Sequence, residues 1–322
     1  MLIKNEIEST GNKVFSTYDQ NLKRYCWVAT EHNFADKKFL KSRKQKDIVL
    51  VTGGAKGVTF ELAFELARST RCTLAIIGST SLDNIKKNKE IQNNFKKLKE
   101  INIEFNYYSC DLSLKNEIAE TIPKIEKQLG EISGILHGSG ISRYNLFKDM
   151  NKDDYDKCLD IKVRGLLSIL AICNMKKMRF IHLISSILAK TGMRMQADYC
   201  YANGWLDEIG HIINLEHPSI QVITLGYTIW EGTGMGERDS AIDYLKNVGV
   251  VPVSISEGKE SYSKLFSSSK NIFISAITGR LSSDLEANLY PEIQKPQFRF
   301  CERILRHIPF TEIITQNSLS MK

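Results

Sequence analysis

The chain alternates seven short apolar runs with longer stretches of helical period, and this alternation constrains the fold more than any other feature. The runs are DIVLVTGG from Asp47, TLAIIG, NIEFNYYS, ISGILH, RFIHLISS, IQVITLGY and NIFISAI. Between them lie TFELAFELAR, a long amphipathic segment ending near Leu98, another ending near Lys127, and two more over about 152–174 and 197–215. Strands this apolar are buried on both faces, and the segments between them are long enough for right-handed crossovers. The pattern predicts an α/β fold, a Rossmann-type doubly wound parallel sheet. From about Glu231 to Lys270 the sequence is irregular, with glycines at 232, 234, 236, 249 and 258. That stretch predicts a lid region before the last strand, over a ligand at the carboxyl edge of the sheet.

Composition narrows the function classes. At 322 residues, 42% hydrophobic and 25% charged, the chain has enough core to fold without staples. No run approaches the roughly 18–20 apolar residues of a membrane span, and the start, MLIKNEIEST, is too charged for a signal peptide. The seven cysteines are scattered with no CxxC pair, so neither a disulfide framework nor a metal site is expected, and a cytoplasmic location fits. A formal charge of +7 fits either a lysine-rich soluble surface or an acidic partner. Nucleic acid is not expected, because no basic motif is interleaved with aromatics and no zinc-finger or RNP spacing occurs.

The first apolar run ends in Thr52-Gly53-Gly54-Ala55-Lys56-Gly57-Val58 and opens directly into a helical pattern. Gly53 and Gly57 permit a tight turn and close approach of a pyrophosphate to the helix N-terminus, whose free N–H groups favour anions. Thr59 stands where such loops carry a last glycine, so helix and strand pack differently there. An acid at the end of the second strand would grip the ribose hydroxyls of NAD, but that strand ends Gly78-Ser79-Thr80 with no acid before Asp83. Lys56 offers a charge to a 2′-phosphate. The expected cofactor is NADPH. Cys110-Asp111-Leu112 closes the third strand, where Asp111 is placed to accept from an adenine amino group. His137-Gly138-Ser139-Gly140 closes the fourth, where small residues let the cofactor ribose lie close to the backbone. The rings of His137 and His182 have no metal-type partners nearby in sequence and read as structural.

These pieces, in this order, resemble the short-chain dehydrogenase/reductase superfamily and, within it, the ketoreductase domains of polyketide synthases. The resemblance is carried by TGGAKGV (52–58), Gly78, CDL (110–112), GILHGSG (134–140), IKVRG (161–165), SSILAKTG (185–192), QADYCYAN (196–203) and IWEGTGMGER (229–238). Its wording is most similar to iterative enediyne and polyunsaturated-fatty-acid type synthases. It covers about residues 47–285. The piece RYCWVAT resembles the end of the structural half that usually precedes such a domain, making residues 1–46 an N-terminal extension. QFRFCERILRHIPFTEII (297–314) resembles the linker that leads to a dehydratase, making 286–322 a linker-like tail. The implied chain is a segment of a larger synthase or a reduced stand-alone version of one.

Ser186 is followed thirteen residues later by Tyr199 and four further on by Asn203, where most short-chain reductases carry lysine. The resemblance implies that lysine and asparagine have exchanged places, with the lysine supplied by Lys162 on the preceding helix. Tyr199 and Asn203, four residues apart, share a helix face. The implied roles are Tyr199 as proton donor to a ketone oxygen, Ser186 as its hydrogen-bond partner, Lys162 as the charge that acidifies the phenol, and Asn203 as a holder of the lysine or of a relay water. A unit charge about 4 Å from the phenol supplies about 4 kcal/mol at an effective dielectric near 20, enough to lower its pKa. Met195 replaces a common glycine and is expected to narrow the substrate entrance. Ser79 replaces a residue often basic, and Tyr227 stands where tryptophan is common. Trp230 and Met235 suit either the core or a wall of the nicotinamide pocket. The expected reaction is NADPH-dependent reduction of a β-ketoacyl chain carried on an acyl carrier protein by its phosphopantetheine arm. The alternatives are a stand-alone reductase of a small free ketone or quinone, and a non-catalytic scaffold.

Overall fold

In a computed structural model the seven apolar runs become the seven strands of one parallel sheet. The structure describes residues 16–18, 24–26, 47–234, 252–267, 272–277, 303–308 and 312–316. A short antiparallel pair, β1 (Ser16–Tyr18) and β2 (Arg24–Cys26), precedes the sheet. There follow β3 (Ile48–Thr52), α1 (Gly57–Thr70), β4 (Thr73–Gly78), α2 (Leu82–Ile85), α3 (Lys89–Glu100), β5 (Phe105–Ser109), α4 (Lys115–Leu129) and β6 (Gly134–His137). The second half holds α5 (Lys152–Leu159), a π-helical turn (Asp160–Arg164), α6 (Gly165–Ile172), β7 (Phe180–Ser186), α7 (Leu188–Thr191), α8 (Ala197–Glu216), β8 (Gln221–Tyr227), α9 (Ile255–Ser267) and β9 (Ile272–Ile277). The sheet order is β5-β4-β3-β6-β7-β8-β9, with every neighbour parallel. The order reverses between β3 and β6. A crevice opens there, outside the carboxyl ends of the strands.

Alternation along each strand divides the core into two layers. Val49, Val51, Leu74, Ile76, Leu136 and Phe180 face α1, α3 and α9, whereas Leu50, Ala75, Ile77, Ile135, Ile181 and Leu183 face α4, α5, α6 and α8. All twelve are fully buried, and each large one contributes about 1.5–3 kcal/mol of apolar burial.

The structure revises several sequence expectations. The long helix ending near Leu98 is two helices, because the Asn88 side chain accepts from the Ile91 N–H and starts α3 afresh. The helix over 152–174 is interrupted by the π-helical turn. Part of the region expected to be irregular is α9, whose Tyr262, Leu265 and Phe266 are buried. The remainder of the expected lid, including Met235, lies outside the described residues. Its neck is described: Trp230 and Val253 form an isolated parallel bridge, Glu231 N–H donates to Val253 O at 2.9 Å, and Val253 N–H donates to Ile229 O at 2.8 Å. In the linker-like tail, β10 (Arg303–Ile308) and β11 (Glu312–Gln316) pair antiparallel. Among the described residues, no helix is long and apolar enough to cross a membrane.

Candidate active site

A cavity of about 760 Å³ fills the crevice. One end is backbone. Gly53 (φ 70°) and Gly57 (φ 68°) occupy left-handed conformations, and a Cβ on Gly53 would lie 3.0 Å from Ser139 N and Cα. The loop after β3 therefore lies flat against the loop after β6. Thr59 finds its room across that seam, where Gly138 has no side chain, and donates weakly to Gly138 O at 3.4 Å. Two side chains of α3 brace the loop from outside: Asn94 Nδ2 donates to Ala55 O at 3.1 Å, and Gly57 N–H donates to Glu90 Oε1 at 3.1 Å. Tyr107, on β5, places its hydroxyl between Gly78 O (2.9 Å) and Thr80 O (2.7 Å), sharing its one proton between them, and so fixes the turn after β4.

Of the residues expected to hold a cofactor, Gly53, Ala55, Lys56, Gly57, Val58, Gly78, Ser79, Thr80, Asp111, Leu112, Gly138, Ser139 and Gly140 line the cavity. Thr52, Gly54 and His137 are not among the lining residues. The His137 ring is fully buried, with Nδ1 2.8 Å from Thr52 Oγ1 and Nε2 2.8 Å from the carbonyl oxygen of Lys162. A carbonyl only accepts, so Nε2 carries the proton and Nδ1 accepts from the Thr52 hydroxyl. Ser139 N–H donates to that same hydroxyl oxygen at 3.4 Å, which completes a relay from the crevice to the Lys162 backbone. Burial, then the Lys162 charge, push the His137 pKa down to about 3 and keep the ring neutral.

The other end of the cavity is made of side chains. Ser186 closes β7, and its Oγ accepts from Leu188 N–H at 3.2 Å, which leaves its own proton free to donate. Tyr199 enters from the first turn of α8. Asn203, one turn on, is fully buried behind it and donates from Nδ2 to Tyr199 O at 2.7 Å. Lys162 comes from the π-helical turn, whose extra residue in the ladder redirects the side chains that follow. Its ammonium is 5.7 Å from the Tyr199 ring centroid, donates to Ile184 O at 3.0 Å, and lies against Gly140, where a Cβ would approach within 3.3 Å. Ser186, Tyr199 and Lys162 line one cavity; Asn203 supports them from outside it.

The electrostatics differ from the sequence expectation. Burial lowers the Lys162 pKa to about 8, against the opposing pull of Cys158 and Asp207. Burial also raises the Tyr199 phenol to about 12, although hydrogen bonds to Asn203 and Ser186 favour its ionised form. The phenol thus stays protonated at neutral pH and acts as a donor. The ammonium donates to a backbone carbonyl, and burial outweighs the hydrogen bonds that favour the phenolate. Met193, rather than Met195, lines the cavity; Met195 takes a positive φ of 66° and its carbonyl accepts from Asn145 N–H at 3.0 Å. Trp230 is both core and wall, being 2% exposed yet lining the cavity beside Tyr227. Sequence reasoning misses Tyr107, Asn94, Glu90 and the Ile184 carbonyl. Only Tyr107 carries a signal there, through its place in the alternation NIEFNYYS.

A doubly wound sheet with Ser, Tyr and Lys converging at its switch-point crevice defines a short-chain dehydrogenase/reductase, an oxidoreductase class that works with nicotinamide cofactors. Residues 48–232 match the family model described as the KR domain, and the chain belongs to that ketoreductase family. Polyketide synthase PksN of Bacillus subtilis (strain 168) is 24% identical over 272 residues, 81% of this chain and 5% of that protein. Polyketide synthase PksL of the same organism is 26% identical over 266 residues, 80% of this chain and 6% of that protein. Among solved structures, an N-terminal ketoreductase from the macrolactin assembly line shares the fold with a TM-score of 0.66 at 21% identity, across 83% of this chain and 50% of that one. The chain spans about one-twentieth of the length of these two synthases.

Proposed function

We propose that this chain reduces a β-ketoacyl group, carried on an acyl carrier protein by a phosphopantetheine arm, to the β-hydroxyacyl product with NADPH. The observation that carries this reading is the Lys162 ammonium beside the Tyr199 ring, with the Ser186 hydroxyl in the same cavity. The residues present fit a dinucleotide. Gly53 has no room for a Cβ against the Ser139 backbone, which lets the two loops close into one cradle, and the lining offers the cations Lys56, Arg143, Lys157 and Lys162 against the single carboxylate of Asp111. The turn Gly78-Ser79-Thr80 contributes no acid, which supports a phosphorylated ribose, with Lys56 as its charge partner. Asp111 Oδ1 already accepts from Ser113 N–H and Oγ, so Oδ2 is the oxygen to meet an adenine amino group.

A bound nicotinamide supplies the hydride; the chain's own residues handle the oxygen and its proton. Ser186 donates to the ketone oxygen and orients it. Tyr199 donates to the same oxygen and delivers its proton as negative charge develops. Lys162, charged below pH about 8, stabilises the phenolate left behind. Asn203 holds the first turn of α8 through the Tyr199 carbonyl.

The test compares a β-ketoacyl group on an acidic carrier protein with the same group on a small free thioester, each with NADPH and with NADH. NADPH-dependent reduction of the carrier-bound substrate, slowing as salt rises while the free thioester is little affected, is the expected result, because steering between exposed charges is screened beyond about 8–10 Å. Reduction of free ketones with no response to a ketothioester would instead identify a stand-alone small-ketone reductase. Absence of turnover with either would leave the scaffold reading.

A further inference from the structure

The outer face of α8 carries an apolar stripe that the core does not use. The inner face of this helix buries Ala202, Leu206, Ile209 and Ile213 and holds Asn203 behind Tyr199. On the other side Tyr201, Trp205, Ile212 and Leu215 are 44–65% exposed. With Glu208 among them, these positions recur at intervals of four, three, four and three residues. That is the spacing of a helix-pairing seam, not of apolar residues scattered over a surface. α6, in the same layer, adds Leu167 and Ile172, 48% and 37% exposed, and the π-helical turn that leads into α6 packs on α8.

The two halves of the stripe differ in shape. In the first half, Tyr201, Gly204, Trp205 and Glu208 stand at the four corners of a hole of the kind that receives a side chain from a facing helix. One corner is open: among the described residues, nothing outside the backbone of its own turns lies within 4 Å of where a Cβ on Gly204 would stand. The hole has a firm wall, because the Tyr201 and Trp205 rings meet edge to face at 6.2 Å and Tyr155 of α5 backs Tyr201 at 5.8 Å. The second half supplies projections, Ile212 and Leu215. A two-fold axis at Glu208, with two copies of α8 antiparallel, sets Ile212 of each copy against Gly204 of the other and Leu215 against Tyr201. The stripe is therefore complementary to itself.

We propose that this face pairs with a second copy of the chain, α8 lying antiparallel on α8 about an axis at Glu208. The six apolar side chains leave on the order of 500 Å² exposed, taking an aromatic as about 200 Å² and an aliphatic as somewhat less. With a polar rim that includes Arg164 and Glu216, the face approaches the roughly 800 Å² per partner that a stable complex buries. An acidic protein or a lipid surface would call for lysines and arginines along the stripe, whereas the charge it carries is the Glu208 carboxylate.

Sedimentation equilibrium of the full chain tests the pairing, and since mass is the readout the result does not depend on turnover. The wild type should pass from monomer to dimer at micromolar concentration. Ile212→Glu charges the projection and Gly204→Leu fills the hole; each should weaken the dimer by about a hundredfold or more. Both positions lie on the outer face of α8, so thermal melts should show the fold kept. Glu208→Gln removes the two carboxylates that face each other at the axis and should tighten the dimer by about tenfold. A wild type still monomeric at roughly 200 µM overturns the proposal. So does a dimer indifferent to Ile212→Glu and Gly204→Leu, or one that Glu208→Gln fails to tighten. A monomer that binds an acyl carrier protein, and loses that binding in Ile212→Glu, would give the face to the carrier and overturn the pairing as well.

Discussion

The two ends of the cavity are built on opposite plans. At the β3–β6 end the lining depends on missing side chains: Gly53, Gly57, Gly138 and Gly140 leave backbone at the cavity wall, and bracing comes from outside through Asn94, Glu90 and Tyr107. At the β7–α8 end, the working groups are side chains, and they are buried or half-buried while charged or polar. The first plan costs the fold little, because a glycine turn leaves no group desolvated. The second stores a cost in the folded state, since an ammonium that is 2% exposed must be kept there against its hydration. Binding and chemistry are therefore separable by substitution, and so are their effects on stability.

The sharpest break between the two ends is Tyr199→Phe. Steady-state assays should show reduction falling by about 10³-fold, within the range for removing a general acid, while cofactor affinity measured by nicotinamide fluorescence stays within about twofold. A parallel loss of cofactor affinity would mean the two ends are not independent. Next is Lys162→Met, expected to lower turnover by about 10²-fold while raising thermal stability at pH 7. The folded pKa of about 8 lies below the ordinary lysine value, so burying this charge costs stability below pH 8, and the cost fades as pH rises toward the ordinary value. After loss of the bond to Ile184 O, a net gain of about 1–2 kcal/mol remains, and it should shrink between pH 8 and 10 in calorimetric melts. In the wild type, turnover should decline above pH about 8 as Lys162 loses its proton.

Smaller effects sharpen the cofactor end. Lys56→Ala should weaken NADPH by about tenfold or more and leave NADH nearly unchanged, because a charge-assisted contact of about 1.5–3 kcal/mol goes only to the 2′-phosphate. Equal losses for both cofactors would remove Lys56 from that role. Tyr107→Phe, which frees the turn after β4 without altering the lining charge, should raise the KM for cofactor by only a few-fold and leave kcat unchanged.

Much of this organisation is legible in the sequence, for identifiable reasons. Parallel strands covered on both faces must be apolar along their whole length, so β3, β4, β6, β7 and β8 announce themselves, and the glycines at 53 and 57 mark the first crossover. Tyr199 and Asn203 follow from helical spacing. The π-helical turn does not, since its wider hydrogen-bond ladder uses ordinary residues, Asp160-Ile-Lys-Val-Arg164, and leaves no trace in composition. The direction of the His137 ring is also hidden, because it depends on which loops lie above the strand end. α9 is obscured by Gly258, which is tolerated because the Trp230 ring fills the place where a Cβ would stand. The raised Tyr199 pKa is equally hidden, because spacing along a chain says nothing about desolvation or about the carbonyl that competes for Lys162.

The bridge between Trp230 and Val253 has a consequence for how much chain can lie between them. Its two hydrogen bonds fasten the chain that leaves the sheet after β8 to the chain that leads into α9. Once the ends of a loop are pinned, doubling its length costs only about 0.6 kcal/mol in closure entropy. A change in the number of residues between Trp230 and Val253 is thus expected to cost the seven-stranded frame little, so that frame tolerates variety at one edge of its cavity.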